Sequence, residues 1–383
     1  MRIEFESIAE NQVLKEAIIA RMERQNGISF HDFMAMALYE PHLGYYSSGR
    51  DTIGRSGDYL TSPEVSPIFG GMVGRQLREM WEALGQPGRF KVVEAGAGNG
   101  TLCRDCLTWT RRAAPGLAAA ISYVIVEPIA RLKARQQQLV ESQGLEVRVA
   151  WVNRLPRGIA GCILSNELLD SMPVHRVTVQ DGQLRQLFVN WNQTEFVEEY
   201  RRPSGAVSRY FEDLGLLPAE GCTAEVNLAA TGWMSRAARA LGRGFVLTFD
   251  YGYEAEELYA SWRKDGTLLC FYRHNPSNDP YARIGRQDMT SHVDFTSLRR
   301  AGEAAGLRTL GLVSQAELLM KTGIGEALPP ADSETDLEQR LARRRAVSEL
   351  VDPAGLGRIK VLAQAKGVTN VRLSGFAGTG TDA

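Results

Sequence analysis

Residues 90–102, FKVVEAGAGNGTL, decide the fold of this chain. The apolar run that contains Val92 and Val93 predicts a strand, and three glycines at alternate positions then lead into a segment compatible with a helix. A strand that feeds a glycine turn and a helix N-terminus forms a cradle of nucleotide size, because glycine lets the backbone approach a ligand closely. We therefore expect this loop to bind a nucleotide-type cofactor through Glu94, Gly96, Gly98, Gly100, Thr101 and Leu102.

The glycine spacing and the residue before it indicate which cofactor binds. A dinucleotide fingerprint reads G-x-G-x-x-G. This loop reads G-x-G-x-G instead and has a carboxylate, Glu94, two residues before its first glycine. At a strand tip a carboxylate would repel a pyrophosphate but would attract the amino group and the sulfonium of S-adenosylmethionine. The loop thus predicts S-adenosylmethionine as the cofactor and disfavours a dehydrogenase.

Length, charge and cysteine count narrow the class of protein. The chain has 383 residues and a net charge of −1, so we expect no nucleic-acid partner, which usually requires a basic excess. Five cysteines are an odd number in a long chain, which argues against a disulfide framework and predicts a reducing compartment. The sequence has no secretory h-region and no run of about 18 apolar residues. It predicts a cytoplasmic protein without membrane insertion.

Strand-like and helix-like segments alternate along most of the chain. Strands are predicted at 90–95, 121–127, 147–152, 161–166 and 244–251, with helices near 101–113, 129–142 and 225–241. Repeated βα units predict a parallel, doubly wound sheet with right-handed crossovers. Residues 174–202 alternate with period two around Asp181 and Gly182, which predicts an antiparallel hairpin inserted after the fourth strand. Residues 44–70 are rich in glycine and serine, which is typical of a functional lid or an Ω-type surface loop.

Two further acidic positions are expected near the glycine loop. Glu127 closes the second predicted strand, where a carboxylate can accept both ribose hydroxyls of a nucleoside, although a surface glutamate before a turn is the alternative. Asn166, Glu167 and Asp170 follow the fourth strand, at the sheet edge where ligands bind. A carboxylate here suits a cationic or amine substrate, and the absence of a proline pair argues against a DNA base. A helix N-cap that favours the helix dipole is the other interpretation, and both can hold together.

Other positions admit both a functional and a structural interpretation. Asp250, at the end of the fifth strand, either shapes the mouth of the substrate site or forms a turn. His292 is a candidate acid or base, or an ordinary loop histidine. Cys103 and Cys106 form a C-x-x-C pair, but no second pair or nearby histidine completes a zinc set. We interpret the two cysteines as small core residues and expect no metal ion.

A series of short motifs follows in a fixed order along the chain. They are ISFHDFMAMALYEPHLGYYSS, GDYLTSPEVSPIFG, EAGAGNGTL, the strand-end Glu127, SNELLDSMPV, FDYG, and GTLLCFYRH followed by DMTSHVDF. Over most of residues 28–366 this set resembles the MidA-like methyltransferases, whose mitochondrial members are complex I assembly factors that methylate an arginine on a subunit of the NADH dehydrogenase. Two positions depart from the family pattern: Ala97 stands where proline is common, and Gly71 stands where an acidic residue that could grip substrate is common.

The resemblance implies an α/β fold: a seven-stranded Rossmann-like class I methyltransferase sheet with an N-terminal helical and lid region and an antiparallel β insertion. It also implies that residues 57–64 cover the cofactor, with Thr61, Ser62 and Pro63 close to it. We expect such a lid to be mobile without ligand and ordered with it. The predicted organisation is N-terminal helices and lid (1–75), first part of the core (76–172), β insertion as a substrate cap (173–223), second part of the core (224–367) and a disordered tail (368–383).

The first hypothesis is therefore an S-adenosylmethionine-dependent methyltransferase that acts on a protein arginine, with a respiratory complex I subunit as the substrate. Glu167 and Asp170 would bind the guanidinium, His292 is the candidate acid or base, and Asn166 joins the cofactor-binding residues. The alternatives are a small-molecule N- or O-methyltransferase and a noncatalytic assembly or binding protein that retains the cofactor fold. The methylated site, the choice between mono- and dimethylation, and the oligomeric state, a homodimer included, stay open.

Overall fold

A computed structural model of the chain describes residues 10–50, 52–54, 57–145, 148–328, 336–369 and 371–378. Its α-helices are α1 (Gln12–Gln25), α2 (Phe30–Tyr39), α3 (Ser62–Val65), α4 (Pro67–Ala83), α5 (Thr101–Ala113), α6 (Pro115–Ala120), α7 (Ala130–Glu141), α8 (Gly205–Leu214), α9 (Leu228–Ala240), α10 (Ala255–Leu258), α11 (Phe295–Ala304), α12 (Gln315–Lys321) and α13 (Leu337–Val351). Within these residues, no helix has both the length and the apolar character needed to cross a membrane.

The strands are β1 (Ile28–Ser29), β2 (Phe90–Ala95), β3 (Ile121–Val126), β4 (Val149–Val152), β5 (Ile159–Asn166), β6 (His175–Gln180), β7 (Gln183–Trp191), β8 (Phe196–Arg201), β9 (Thr223–Val226), β10 (Leu241–Asp250), β11 (Gly252–Tyr253), β12 (Leu269–Tyr272), β13 (Asn275–Ser277), β14 (Asp288–Thr290), β15 (Val293–Asp294), β16 (Arg308–Ser314) and β17 (Lys360–Lys366).

The chain divides into two compact units, each assembled from three separate segments. Unit 1 comprises residues 1–59, 169–230 and 253–294, and unit 2 comprises residues 60–168, 231–252 and 295–383. The sequence-based boundaries at 75, 172, 223 and 367 divide the chain consecutively, and they remain a prediction about its domains.

Unit 2 contains a seven-stranded sheet in the order β16-β17-β10-β5-β2-β3-β4. Strands β10, β5, β2, β3 and β4 run parallel, while β17 is antiparallel to both β10 and β16. Apolar side chains of the central strands are buried together with those of α4 and α5, which is the pattern of a sheet covered by helices. The predicted seven-stranded, mostly parallel α/β sheet is confirmed.

Unit 1 contains an antiparallel sheet in which β7 pairs with β1, β6 and β8, and β6 also pairs with β9. The β6–β7 turn places Asp181 and Gly182 at φ 53° and 70°. Positive φ at both central residues is the signature of the tight turn that matches strand twist, which is why Asp-Gly favours it. The hairpin predicted from period-two alternation is therefore confirmed. A second, three-stranded sheet has the order β13-β12-β14.

The segment predicted as a disordered tail is partly structured. Residues Ser374–Phe376 form a 3-10 helix, and Ser374 donates hydrogen bonds from its backbone N and its Oγ to the carboxylate of Glu79, at 2.8 Å and 2.6 Å. Phe376 packs into the apolar core of unit 2. The expectation of disorder is thus wrong for residues 371–378, because a buried aromatic anchors them. Residues 370 and 379–383 lie outside the described residues.

The predicted lid, residues 44–70, falls into both units, and Asp51, Arg55 and Ser56 lie outside the described residues. In unit 1 its loop closes on itself, since the amide of Asp58 donates to Thr52 O at 2.8 Å. In unit 2 it continues as α3 and α4, where Gly71 is buried and a Cβ there would approach Trp109 Cδ1 at 3.1 Å. An acidic side chain at this position would therefore need Trp109 to move. The proposed mobility of the segment stays a prediction.

Two glycines at the start of β5 test how tightly the sheet is packed. Gly161 has φ 146° and a Cβ there would collide with the carbonyl oxygen of Lys91 on β2, whereas Gly158 has φ 64° and open space around it. We expect Gly161→Ala to lower the free energy of unfolding by about 3 kcal/mol or more. Gly158→Ala carries only the backbone cost, about 1–2 kcal/mol. Chemical denaturation of both variants measures this, and equal losses would contradict the collision.

Candidate functional site

The parallel pairing in unit 2 brings the carboxyl ends of three strands to one edge. Ala95 of β2 pairs with Val126 of β3 on one side and with Ser165 of β5 on the other. The glycine loop, Glu127 and the segment that begins at Asn166 follow these strand ends directly. Ligands of doubly wound sheets bind outside the carboxyl ends of the strands. The predicted cofactor residues of the three strand ends therefore lie together.

The glycine loop has the left-handed backbone that its sequence predicts. Gly96, Gly98 and Gly100 have φ of 70°, 52° and 85°, and Gly100 is the N-cap of α5. A Cβ on Gly96 would approach Leu168 Cδ1 at 2.7 Å, and one on Gly100 would approach Gln136 Cγ at 3.3 Å. Glycine is needed both for the positive φ and for this close packing. The free N–H groups at the start of α5 face the same loop and suit a polar ligand.

Glu94 is a buried carboxyl at the end of β2. It is 2% exposed, and Tyr123 of β3 donates a hydrogen bond from its Oη to Glu94 Oε2 at 2.8 Å. Burial raises the pKa of Glu94 to about 7, against the opposing effect of the Tyr123 hydrogen bond. A positive ligand group beside this carboxyl would restore its charged form, so Glu94 is suited to bind a cation.

Glu127 is also buried, and its carboxylate is oriented by the chain that follows it. Oε1 accepts from the backbone N of Ile129 at 2.9 Å, and Oε2 accepts from Gln136 Nε2 at 3.1 Å. Gln136 Nε2 also donates to Gly98 O at 2.9 Å, so this side chain joins Glu127 to the glycine loop. Burial raises the pKa of Glu127, and the two hydrogen bonds oppose the rise. Each carboxylate oxygen retains a lone pair that can accept from a ligand hydroxyl.

Asn166 and Glu167 form the tip of β5. Glu167 has φ 47°, a left-handed conformation that is uncommon for a residue with a side chain. Its Oε1 accepts from Asn166 Nδ2 at 2.9 Å and from the backbone N of Ser62 at 3.2 Å. Burial raises the pKa of Glu167 to about 7. Backbone strain of this kind persists where the surroundings enforce it and is frequent at functional sites.

One polar atom at this strand tip lacks a partner. Asn166 Oδ1 is enclosed and accepts no hydrogen bond from the residues that the structure describes. A buried acceptor left unpaired costs about 1–3 kcal/mol, so a donor on a ligand would be favourable there. The second oxygen of Glu167, Oε2, likewise has no hydrogen-bond partner within the described ranges.

The residues expected to cover the cofactor lie beside the same edge. Thr61 is the N-cap of α3, Ser62 and Pro63 are buried at its start, and Ser62 Oγ donates to Gln315 Oε1 at 2.9 Å. Glu64 Oε1 accepts from Thr101 Oγ1 at 2.7 Å and from Asn99 Nδ2 at 3.1 Å. The lid segment is thus tied to the glycine loop through Glu64 and to β5 through Ser62.

Sequence reasoning missed three side chains that orient this site: Glu64, Tyr123 and Gln136. Only one local signal in the sequence pointed to these residues: each has a polar side chain and lies near an expected ligand-binding group. Glu64 lies in the TSPE motif and Gln136 on a helix that follows Glu127, but their partners are fixed only by tertiary packing. Leu102, another predicted residue, is buried in the core of unit 2 on α5.

Asp170 and His292, the other candidate catalytic residues, belong to unit 1. Their segments meet, since the amide of Ser291 donates to Asp170 O at 2.9 Å. The His292 ring lies 5.2 Å from that of Tyr253, and its backbone N donates to Thr267 Oγ1 at 2.9 Å. No helix follows Asn166 directly in this described stretch, which runs through turns to β6. The helix N-cap interpretation of Glu167 and Asp170 is therefore wrong.

Asp250 and the cysteines have structural roles. Asp250 is fully buried, and its carboxylate accepts from the backbone N of Leu168 at 3.2 Å and of Tyr251 at 2.9 Å, so it shapes the turn after β5. Cys103 and Cys106 are buried in the core of unit 2, as predicted, and all five cysteines are free thiols. The described residues contain no cluster of His, Cys, Asp or Glu arranged to hold a metal ion.

Comparison with known proteins connects this geometry to a family. The model of a family of S-adenosyl-L-methionine-dependent methyltransferases (Methyltransf_28) matches residues 72–313. The crystal structure of a protein from Burkholderia thailandensis bound to S-adenosyl-homocysteine aligns with a TM-score of 0.88 and 32% identity, over 99% of this chain and 98% of that chain.

Curated relatives are similar over almost the same length. The Drosophila melanogaster protein named "Protein arginine methyltransferase NDUFAF7 homolog, mitochondrial" is 29% identical over 95% of this chain and 87% of its own length. The Homo sapiens protein named "Protein arginine methyltransferase NDUFAF7, mitochondrial" is 26% identical over 91% of this chain and 82% of its own length.

These relatives correct one expectation. The sequence predicted a cytoplasmic location, and that prediction is wrong, because the curated relatives are mitochondrial proteins. The cysteine count indicates a reducing environment, but it does not distinguish between compartments that share one.

The residues of unit 2 fit S-adenosyl-L-methionine. Among the residues that the structure describes, Glu94 is a buried carboxyl without a cationic partner, and Asn166 Oδ1 is a buried acceptor without a donor. The glycine loop that follows β2 has a left-handed backbone. A ligand with an ammonium group, a sulfonium and ribose hydroxyls supplies what each of these groups requires.

The buried carboxyl of Glu94 lowers the stability of the ligand-free fold at high pH, and we expect it to strengthen cofactor binding. A carboxyl whose pKa is about 7 when folded and 4.5 when unfolded destabilises the fold as pH rises from about 4.5 to 7, by roughly 3 kcal/mol at pH 8. We expect Glu94→Gln to raise the unfolding free energy of the ligand-free protein at pH 8, but not at pH 4, and to weaken S-adenosylhomocysteine binding at least tenfold. Denaturant titration and calorimetry measure the two effects. The exposed Glu141→Gln is the control, and unchanged affinity in Glu94→Gln would remove Glu94 from the site.

Proposed function

The chain belongs to the family of S-adenosyl-L-methionine-dependent methyltransferases, and we propose that it methylates an arginine side chain of a protein. The carboxyl group of Glu167 carries this proposal. Its Oε1 is fixed by two hydrogen bonds, and its Oε2 has no partner within the described residues. A guanidinium presents parallel N–H donors that match a carboxylate in a two-bond fork. The names of the curated relatives, protein arginine methyltransferases, support the same acceptor.

The proposed cofactor site consists of the strand-end groups of unit 2. When bound, S-adenosyl-L-methionine supplies a methyl group on a sulfonium, which an acceptor nitrogen can displace in line. The protein contributes mainly by positioning, which can account for a large part of the rate of such a displacement. The residues that we assign to this role are Glu94, Gly96, Gly98, Gly100, Thr101, Leu102, Glu127 and Asn166, with Thr61, Ser62 and Pro63 as the covering segment.

Glu167 is suited to orient the acceptor and to take a proton from it. An arginine stays protonated in water, because its pKa exceeds about 12. Pairing with a carboxylate holds the guanidinium in one orientation, and one nitrogen loses a proton as its new bond to carbon forms. With a pKa near 7, Glu167 is ionised to a useful extent at neutral pH and is basic enough to accept that proton.

Two aromatic rings of unit 1 contact a guanidinium of the chain itself. The guanidinium carbon of Arg263 lies 4.4 Å from the ring centroids of both Tyr253 and Trp262, so these rings already accept one such group. The Tyr253 ring also neighbours His292. Within unit 1 we propose Asp170 and His292 as further catalytic residues, with Asp170 contributing less, because its backbone already serves to join two segments of unit 1.

We propose a subunit of respiratory complex I as the protein substrate. The motif set shared with assembly-factor methyltransferases and the length of the similarity to the mitochondrial relatives support this choice. Methylation of a small molecule and a noncatalytic binding role are the two alternatives, and mass spectrometry of complex I subunits distinguishes them from this proposal. No single contact in the described structure favours either of them.

Substitution of Glu167 tests the acceptor site. Glu167→Gln keeps the shape and removes the charge, so we expect methyl transfer to fall about a hundredfold or more. S-adenosylhomocysteine affinity should change little, and Glu141→Gln should leave both values unchanged. Steady-state kinetics and calorimetry measure these effects. Loss of cofactor binding without a separate turnover defect would instead assign Glu167 to the cofactor pocket.

The pH dependence follows from the same carboxyl. Because the ionised form of Glu167 is the active one, kcat/KM at saturating cofactor should rise with pH and level off above about 7. Glu167→Asp should keep a rising limb, whereas Glu167→Gln should lack it. A limb that persists unchanged in Glu167→Gln would show that another group titrates.

Mass spectrometry tests the substrate. Complex I subunits from cells with and without this gene are digested, and each arginine peptide is compared. We expect one subunit to lose one or two methyl groups from a single arginine in the deleted strain, and a catalytically weakened Glu167→Gln copy should restore less of the modification than the wild type. Unchanged arginine methylation with turnover of a small amine in vitro would favour the small-molecule alternative.

A further inference from the structure

The first part of α13, residues 337–345, packs little against the rest of unit 2. None of these residues is buried, and the buried residues of the helix, Ala346 and Leu350, come only after them. A helix in a protein gains most of its stability from the packing of one face. Residues 337–345, the exposed segment of α13, gain little from such packing and present a helical surface to the surroundings.

Two large apolar side chains lie on the outer side of this segment. Leu337 is 64% exposed and Leu341 is 42% exposed. Residues four apart are neighbours on one face of a helix, so the two leucines form a pair. At 3.6 residues per turn, Ala346 and Leu350 lie on the opposite side, each two and a half turns after one of the leucines. The helix thus has an inner apolar row in its second half and an outer leucine pair in its first half.

Positive charge surrounds this leucine pair. The exposed segment of α13 contains four arginines: Arg340, Arg343, Arg344 and Arg345. Arg344 and Arg345 follow Leu341 by three and four residues, so they border it on the helix surface. The only carboxylate among residues 337–345 is that of Glu338, so four positive charges and one negative charge give the segment a net charge of +3.

The guanidinium groups of the segment are available to a partner. No side-chain hydrogen bond or ion pair joins any of the four to another residue in the part of the chain that the structure describes. Arg340 is half-buried and the other three arginines are exposed. Like charges held close together repel one another, and an anionic surface placed against them would relieve that repulsion.

We propose that the exposed segment of α13 binds to an anionic phospholipid surface. Leu337 and Leu341 enter the boundary between head groups and acyl chains, as the apolar side of an interfacial helix does. The arginines around them extend their long side chains to the lipid phosphates, and each adds attraction to the negative surface. The inference is independent of the methyl acceptor, because it concerns binding by a surface of unit 2 alone.

The short apolar row favours lipid over an acidic protein groove. A helix that binds in a groove uses anchors at positions i, i+3 or i+4, and i+7. Counted from Leu337, the position i+7 is Arg344, so the row of anchors ends after two leucines. A lipid surface needs no matching groove, and its head groups meet the arginines on either side of the pair. A nucleic acid would bind the arginines but would leave both leucines in water.

Cosedimentation of the full chain with lipid vesicles tests the proposal. One set of vesicles contains phosphatidylcholine alone, and the other contains about 30% phosphatidylglycerol as the anionic lipid. We expect the anionic vesicles to bind about tenfold or more tightly than the neutral ones, with an affinity that falls as salt rises. Equal binding to both sets of vesicles, or no binding to either, would overturn the proposal.

Charge variants locate the binding. Arg344→Gln combined with Arg345→Gln should weaken binding to anionic vesicles about tenfold or more. The lysine versions should bind nearly as well as the wild type, because a surface potential acts on charge and not on the geometry of the guanidinium. Arg111→Gln combined with Arg112→Gln is the matched control, since it removes the same charge from the exposed end of α5. Equal losses in the two glutamine variants would refute the assignment to α13.

Leucine variants separate lipid from other anionic partners. Leu337→Gln combined with Leu341→Gln keeps every charge, and because both positions are exposed the midpoint of denaturant unfolding should not change. We expect binding to anionic vesicles to fall about fivefold or more, since the apolar contact is lost. Unchanged vesicle binding in this variant would rule out the proposed role of the leucines.

An acidic peptide tests the alternative partner. The probe is a labelled peptide of about ten residues in which glutamate and glycine alternate, and fluorescence anisotropy measures its binding. We expect it to bind more weakly than the anionic vesicles. Tighter binding of the peptide would overturn the assignment to lipid and favour an acidic protein segment. None of these measurements depends on methyl transfer, so failure here is separate from failure of the proposed function.

Discussion

The parallel register of β2 with β3 and β5 is the constraint on which the candidate site depends. Parallel strands end at the same edge of a sheet, so residues distant in the chain, Glu94, Glu127 and Glu167, meet there. The same edge receives the glycine loop, whose positive φ angles turn the chain sharply from β2 into α5. Helix α3 then joins the edge through Ser62 and Glu64.

This concentration of carboxyl groups is unfavourable for the folded chain alone. Burial raises the pKa of all three groups, because each loses hydration that its few hydrogen bonds restore only in part. A site that holds acidic groups away from water is typical of one prepared for a cation. Methyl transfer from a sulfonium to a guanidinium involves two cations, so the unfavourable apo state and the proposed chemistry have the same physical origin.

Local sequence patterns predicted the regular elements of the sheet well. Helix α5 begins at Thr101 and ends at Ala113, as the sequence predicts, because a glycine turn starts it and its buried residues recur at helical spacing. The hairpin at Asp181 was predicted because Asp-Gly selects one turn type. Predictions were wrong where local preference and tertiary context differ: Glu167 takes a left-handed conformation and no helix follows it, and Phe376 anchors a tail whose composition indicates disorder.

The sequence by itself determined the parallel sheet, the cofactor loop and the acidic strand ends, because hydrophobic period, glycine spacing and strand-end polarity are local properties. Only the tertiary structure decided which groups orient those carboxyls: the Tyr123 hydroxyl for Glu94, the Gln136 side-chain amide for Glu127 and the backbone N of Ser62 for Glu167. It also decided that each unit is built from three separate chain segments. Such contacts join residues far apart in the chain, and their geometry depends on packing that no local pattern specifies.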